Sequence, residues 1–149
     1  MDVNLLSMQI IVKEFIRDLI SQKDGSIIQI SSIYGLKGPD NRIYVDSKNK
    51  NLKFNTPPVY AASKAGVIGL TKYYSTIYGP SGIRCNSVAP GGIRFKHDND
   101  FLLNYSSKVP LGRMADVLEI CGPIMFLATD ASKYINGQCI SVDGGMSVY

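Results

Sequence analysis

The sequence predicts an α/β fold built on a parallel, doubly wound sheet, and two observations predict it. Segments with apolar residues at three- and four-residue steps alternate with short runs of branched apolar residues, in the order helix, strand, helix, strand, helix, strand. That alternation implies right-handed crossovers between parallel strands. Each strand-like run also ends on small or hydroxyl-bearing residues, at Ser31-Ser32, Pro90-Gly91 and Asp143-Gly144. In such sheets ligands bind beyond the carboxyl ends of the strands.

The elements follow in order. Between Leu5 and Ile20 the residues Leu5, Met8, Val12, Phe15, Ile16 and Leu19 make one apolar face, with Gln9, Lys13, Arg17 and Asp18 opposite, the pattern of a surface helix. Asp24-Gly25 stops it, and residues 26–32 read as a strand. Residues 33–56 hold Gly35, Gly38, Pro39, Asn41, Asn49, Asn51 and Asn55 with no sustained periodicity, which marks a long excursion. A helix is expected from Pro57 to Ile77, with Thr56 as N-cap and Pro57 at the first helical position. The small residues between Tyr60 and Gly66 let a strand or a cofactor approach its backbone. A breaker at residues 78–82 precedes a strand over residues 83–89, a short helix near residues 100–107, a helix over 114–129 and a strand over 139–142.

Composition narrows the function classes. The chain has 149 residues, 45% of them hydrophobic and 19% charged, which suits one globular domain and excludes disorder or a collagen-like repeat. Its net charge of +4 is too small and scattered for a nucleic-acid footprint. No apolar run approaches a membrane span, and Lys13, Glu14 and Arg17 interrupt what a signal peptide would need. No nucleic-acid or membrane partner is therefore expected, and the cytoplasm is the expected location. Cys85, Cys121 and Cys139 have neither zinc nor disulfide spacing and read as reduced, buried small hydrophobes. His97 has no carboxylate cluster around it, so no metal site is expected. Between Lys37 and Lys53, five basic residues stand against Asp40 and Asp46. This stretch is either a solvated loop or a lip that attracts an anionic substrate.

Tyr60 and Lys64 are four residues apart on a helix and share a face. An ammonium one helical turn from a phenol favours the phenolate, which suits a proton-exchanging group. Taken alone, such a pair is a weak signal, Ser32 is a strand-end hydroxyl that satisfies a turn, and Asn4 is a helix cap.

Together these residues mean more. Asp2-Val3-Asn4-Leu5, residues 25–32 ending in Ser31-Ser32, Tyr60-Ala61-Ala62-Ser63-Lys64-Ala65-Gly66, Asn86-Ser87-Val88-Ala89-Pro90-Gly91 and residues 137–145 occur in the order in which similar segments occur in short-chain dehydrogenases/reductases. The chain resembles that family over nearly its whole length. The resemblance implies the C-terminal part of a Rossmann-type sheet and an NAD(P)-dependent oxidoreductase that transfers hydride between nicotinamide and a carbonyl or secondary alcohol. It implies that Tyr60 is the general acid/base, that Lys64 assists it and contacts the nicotinamide ribose, that Ser32, rather than Ser31, orients the substrate, and that Asn4 holds a water in a proton relay to Lys64. Pro90, Gly91 and Ile93 would line the nicotinamide carboxamide. The cofactor-binding set is thus Asn4, Tyr60, Lys64, Pro90, Gly91 and Ile93. By the same analogy the helices at residues 5–20 and 57–77 would join subunits into a homo-oligomer.

Two departures from the family pattern shape the expectation. Residues 38–56 are read as an insertion at the substrate loop, and the pattern Ser32-Ile33-Tyr34-Gly35, Pro39-Asp40-Asn41-Arg42-Ile43-Tyr44 and Pro57-Pro58-Val59-Tyr60 looks similar to bacterial members of sugar-nucleotide, nonulosonic-acid or flagellin-glycan pathways, which makes a sugar nucleotide a candidate substrate. The glycine-rich dinucleotide turn, the residue that chooses NAD or NADP, and the family's first strands have no counterpart in the sequence. The chain is therefore read as one partial domain over residues 1–149 that begins inside the family pattern, with weakened cofactor binding and an exposed edge on its first strand. The alternative is a truncated, inactive or non-catalytic binding remnant of such an enzyme.

Overall fold

The computed structural model describes residues 1–45 and 56–148. A π-helical turn over Asp2–Leu6 leads into α1 (Ser7–Gln22). There follow β1 (Gly25–Ile30), α2 (Pro58–Tyr78), β2 (Ile83–Pro90), α3 (Asn99–Ser106), α4 (Val117–Ala128) and β3 (Cys139–Val142). The three strands form a parallel sheet in the order β1-β2-β3, with Gly25 opposite Ile83 and Ser87 opposite Cys139. This is the α/β parallel architecture expected from the alternating pattern.

Strand alternation sends successive side chains to opposite faces, and each face has its own cover. Ile27, Ile83 and Cys85 pack against Val12, Ile16 and Leu19 of α1 and Leu70, Tyr74 and Tyr78 of α2. Ile28, Ile30, Val88, Ile140 and Val142 pack against Ile120, Ile124 and Leu127 of α4. A third cluster lies at the carboxyl end of the sheet, where Ile33, Ile43, Tyr105, Val109, Met114 and Met146 pack together. It joins the connections that follow β1, β2 and β3 into one platform.

Several local expectations are corrected. The inward line of α1 is Val12, Ile16 and Leu19, and Phe15 lies off it, 62% exposed with Ile10 and Ile11. Thr56 does not cap α2: Pro57 is the N-cap and Pro58 the first helical residue, while the Thr56 hydroxyl bonds to Tyr44. Cys85 is buried, and burial pushes its thiol up to about 12. Cys139 is half-buried and Cys121 is exposed on α4, so the cysteines do not form one buried class. The excursion after β1 begins with two short 3-10 turns, Ile33–Gly35 and Asn41–Tyr44, the second capped by the Asp40 carboxylate, which accepts from the Arg42 N–H. Ile43 in that turn is fully buried. Residues 46–55 of the inferred insertion lie outside the described residues.

Two charged or polar details complete the frame. At the start of α4, Glu119 accepts from the Asp116 N–H and pairs with Arg113 at 2.6 Å, and the Arg113 guanidinium holds the Glu119 carboxyl down at about 2. In β1, the Gln29 carbonyl accepts from the Thr71 hydroxyl, while its amide nitrogen is buried with no partner among the described residues. No helix among the described residues is long and apolar enough to cross a membrane.

Two substitutions test this packing. Ile43→Ala removes a fully buried side chain from the third cluster and is expected to cost about 2–5 kcal/mol, read as a lower urea midpoint. An unchanged midpoint would mean that the Asn41–Tyr44 turn is not anchored. Gly82 has φ +81°, and a Cβ there would lie 2.3 Å from the Lys23 carbonyl oxygen. Gly82→Ala is therefore expected to destabilise by more than about 1 kcal/mol in the same titration.

Candidate active site

The site begins where β1 ends. Ser31 continues the ladder by donating its N–H to the Val88 carbonyl, and its hydroxyl donates to the Lys64 carbonyl of α2 at 2.7 Å. Ser31 is thus committed to holding strand and helix together. Ser32, one residue on and facing the other way, is buried and extended, and its Oγ accepts from the Tyr34 N–H at 3.2 Å. The turn it caps lies directly on α2. A Cβ at Gly35 would come within 2.7 Å of the Lys64 backbone, so glycine is required for this approach.

The spacing of Tyr60 and Lys64 places them as expected on one face of α2, with the Lys64 Nζ 5.8 Å from the Tyr60 ring centroid. The ammonium donates to the Ile30 carbonyl at 2.9 Å, and partial burial moves the Lys64 pKa below its ordinary value. Asn4 lies in the π-helical turn, and its Nδ2 donates to the Ser63 Oγ at 3.3 Å. The Ser63 hydroxyl in turn donates to the Tyr60 carbonyl at 2.7 Å. Asn4 therefore reaches the turn of α2 that carries Tyr60.

On the other side, Pro90 closes β2, and Gly91 continues it by donating its N–H to the Val142 carbonyl. The Gly92 N–H donates to the Tyr105 hydroxyl, whose proton burial holds up to about 12. The next pairing is a parallel bridge between Ile93 and Ala115. It is made through its neighbours, with Arg94 donating to Ala115 and Ala115 donating to Gly92, so it uses neither the N–H nor the C=O of Ile93. A nicotinamide carboxamide needs one acceptor and one donor, and the Ile93 backbone offers both.

Between these elements lies a cavity of about 310 Å³. Ser32, Tyr60, Gly91 and Ile93 all line it; Asn4, Lys64 and Pro90 do not. Its remaining wall comes from residues that sequence reasoning did not single out as site residues, among them Tyr34, Tyr44, Thr56, Phe101 and Tyr105. Tyr34, Tyr44 and Thr56 fall in the excursion with no periodicity, while Phe101 and Tyr105 lie four apart on α3, so no spacing in the sequence links the two groups. His97 also lines the cavity, its ring stacked on Phe101 at 4.9 Å and its Nδ1 accepting from the Phe95 N–H. Among the described residues no cluster of metal-ligating side chains occurs. The basic lip is partly spoken for: Lys37 donates to the Met146 carbonyl and Arg42 pairs with Asp40, while Lys48, Lys50 and Lys53 lie outside the described residues.

Comparison with known proteins agrees with this architecture. A family model described as enoyl-(acyl carrier protein) reductase matches residues 1–147. The 3-oxoacyl-[acyl-carrier-protein] reductase FabG of Chlamydia trachomatis is 41% identical over 98% of the chain and 54% of its own length. A short-chain dehydrogenase from Leptospira borgpetersenii, solved with bound NAD+, superposes with a TM-score of 0.88 at 38% identity, over 97% of the chain and 54% of its own. A gluconate 5-dehydrogenase from Burkholderia cenocepacia, in complex with NADP and tartrate, gives 0.85 at 30% identity, over 99% and 54%. The chain spans about half the length of the curated relatives it matches. With nearly all of its residues matched by the family model and its strand and helix order shared with these enzymes, the chain belongs to the short-chain dehydrogenase/reductase family.

Proposed function

We propose that these residues form the catalytic side of an NAD(P)-linked oxidoreductase that interconverts a carbonyl compound and a secondary alcohol. The observation that carries this reading is the single cavity onto which Ser32, Tyr60 and the Gly91 and Ile93 segment all open. Ile93 would hold the carboxamide through its backbone, with Gly91 and Pro90 beside it and Tyr60 and Lys64 toward the ribose. When bound, the nicotinamide supplies or takes up the hydride.

The side chains divide the remaining work. Because the Ser32 oxygen already accepts from the Tyr34 N–H, its own proton is left to donate to a substrate oxygen. Tyr60 gives a proton to that oxygen as it becomes an alcohol and takes one from it in the reverse direction. The Lys64 ammonium, steadied by the Ile30 carbonyl, stabilises negative charge that develops on the phenolic oxygen. Asn4 positions the Tyr60 turn through Ser63, and the resemblance adds a water-mediated relay to Lys64. A cavity of about 310 Å³ is at the small end of ligand sites, which suits a small carbonyl compound or the sugar end of a sugar nucleotide.

A second reading treats the chain as a non-catalytic nucleotide-binding domain. It is favoured by the Lys64 ammonium already donating to the Ile30 carbonyl, an engagement that a structural lysine also makes. The exposed Ile10, Ile11 and Phe15 of α1 and Tyr73 and Ile77 of α2 suit contact with a second copy in either reading.

Kinetics separate the two. In the complete enzyme, followed by NAD(P)H absorbance, Tyr60→Phe is expected to lower kcat by about 100-fold or more, and Ser32→Ala by roughly 100-fold. A Tyr60→Phe enzyme with unchanged turnover would show that the phenol is not the acid/base.

A further inference from the structure

We propose that the linked hydroxyls of Tyr34, Tyr44 and Thr56 determine specificity, selecting substrates that carry hydroxyl groups on the carbons beyond the reacting one over plain acyl or alkyl chains. The proposal rests on the reading of the cavity as the substrate site. All three residues line the same cavity as Ser32 and Tyr60. The Tyr34 and Tyr44 hydroxyls are 2.8 Å apart, and the Tyr44 and Thr56 hydroxyls 3.1 Å.

The arrangement is built rather than incidental. Ile43, fully buried, anchors the Asn41–Tyr44 turn in the third apolar cluster. The Tyr44 ring packs on Phe101 with centroids 5.6 Å apart, and Tyr34 lies within the turn that Ser32 caps. Each hydroxyl is therefore held before any ligand arrives, which lowers the ordering cost of binding.

The chemistry selects the ligand class. A hydroxyl has one donor and two acceptor positions, so the two ends of the chain, Tyr34 and Thr56, keep capacity for a ligand oxygen after bonding to Tyr44. Either hydrogen bond within the chain can reverse its direction, so the wall can donate to one ligand oxygen or accept from another. Burial keeps the Tyr34 phenol protonated well beyond the ordinary tyrosine range, so the chain is neutral and offers no charge. Recognition is then by hydrogen bonding to neutral oxygens. A plain alkyl chain would cover these groups and leave the spare hydrogen-bonding capacity of Tyr34 and Thr56 unused. The discrimination is moderate, because the hydroxyls satisfy one another when no ligand oxygen is present.

His97, the one histidine of the sequence, lines the cavity, and its ring proton resonances report occupancy. The test compares D-gluconate with hexanoate, which match in carbon number and charge and differ in hydroxyl groups, titrated into the 149-residue chain. Gluconate is expected to bind at least about fivefold more tightly, with the ratio falling about threefold in Tyr34→Phe and in Thr56→Val and being restored by Thr56→Ser. Melting curves of the variants should stay cooperative, so that lost selectivity is not lost folding. Equal affinities, a ratio unchanged in both variants, or no gluconate response from a cooperatively melting chain would overturn the proposal. Tyr60→Phe keeps the ratio if the wall acts as proposed. Loss of turnover in Tyr60→Phe bears on the catalytic reading alone, so failure of either idea is distinguishable from failure of the other.

Discussion

The site depends on the seam between the end of β1 and the second turn of α2. Three contacts make it: the Ser31 hydroxyl donates to the Lys64 carbonyl, the Lys64 ammonium donates to the Ile30 carbonyl, and Gly35 lies flat against the Lys64 backbone. Two of these are hydrogen bonds in a partly buried setting, where an unmade partner costs more than a made bond gains. The third is steric and admits only glycine. Because the seam fixes Ser32 and the turn bearing Tyr60 relative to one another, the cavity between them does not need to be assembled by a ligand.

The rest of the frame supports that seam from two directions. Helices α1 and α2 on one face and α4 on the other press the strands together through separate apolar layers. The third cluster then ties the segments after all three strands into one body, with Tyr105 reaching from α3 to the Gly92 N–H and Lys37 reaching from the first excursion to the Met146 carbonyl. The cavity wall, contributed by several separate stretches of chain between Ser32 and Met114, is thereby tied to the same apolar cluster.

Much of this was legible in the residues. β1 and β3 were recognisable from short runs of branched apolar residues, β2 from the breaker before it and the Pro90-Gly91-Gly92 stop after it, and α2 because its proline start and small-residue run are local signals. Ser32, Tyr60 and Lys64 were legible for the same reason: each sits at a fixed offset from a recognisable element. The opposite wall was not. Tyr34, Tyr44 and Thr56, from an excursion without period, meet Phe101 of α3 only through tertiary packing, and no spacing in the chain announces that they meet. The misassigned cap shows the same thing at one residue. Thr56 has the right chemistry for a helix N-cap, but a partner twelve positions away holds its hydroxyl instead.

The anchored Asn41–Tyr44 turn has an evolutionary corollary. Ile43, buried in the third cluster, and the proline start of α2 hold Tyr44 and Thr56 from opposite sides, apart from the contacts that set Ser32 and Tyr60. Descendants of one ancestral scaffold can therefore diverge in what they accept by exchanging these two side chains, leaving the seam and the sheet untouched.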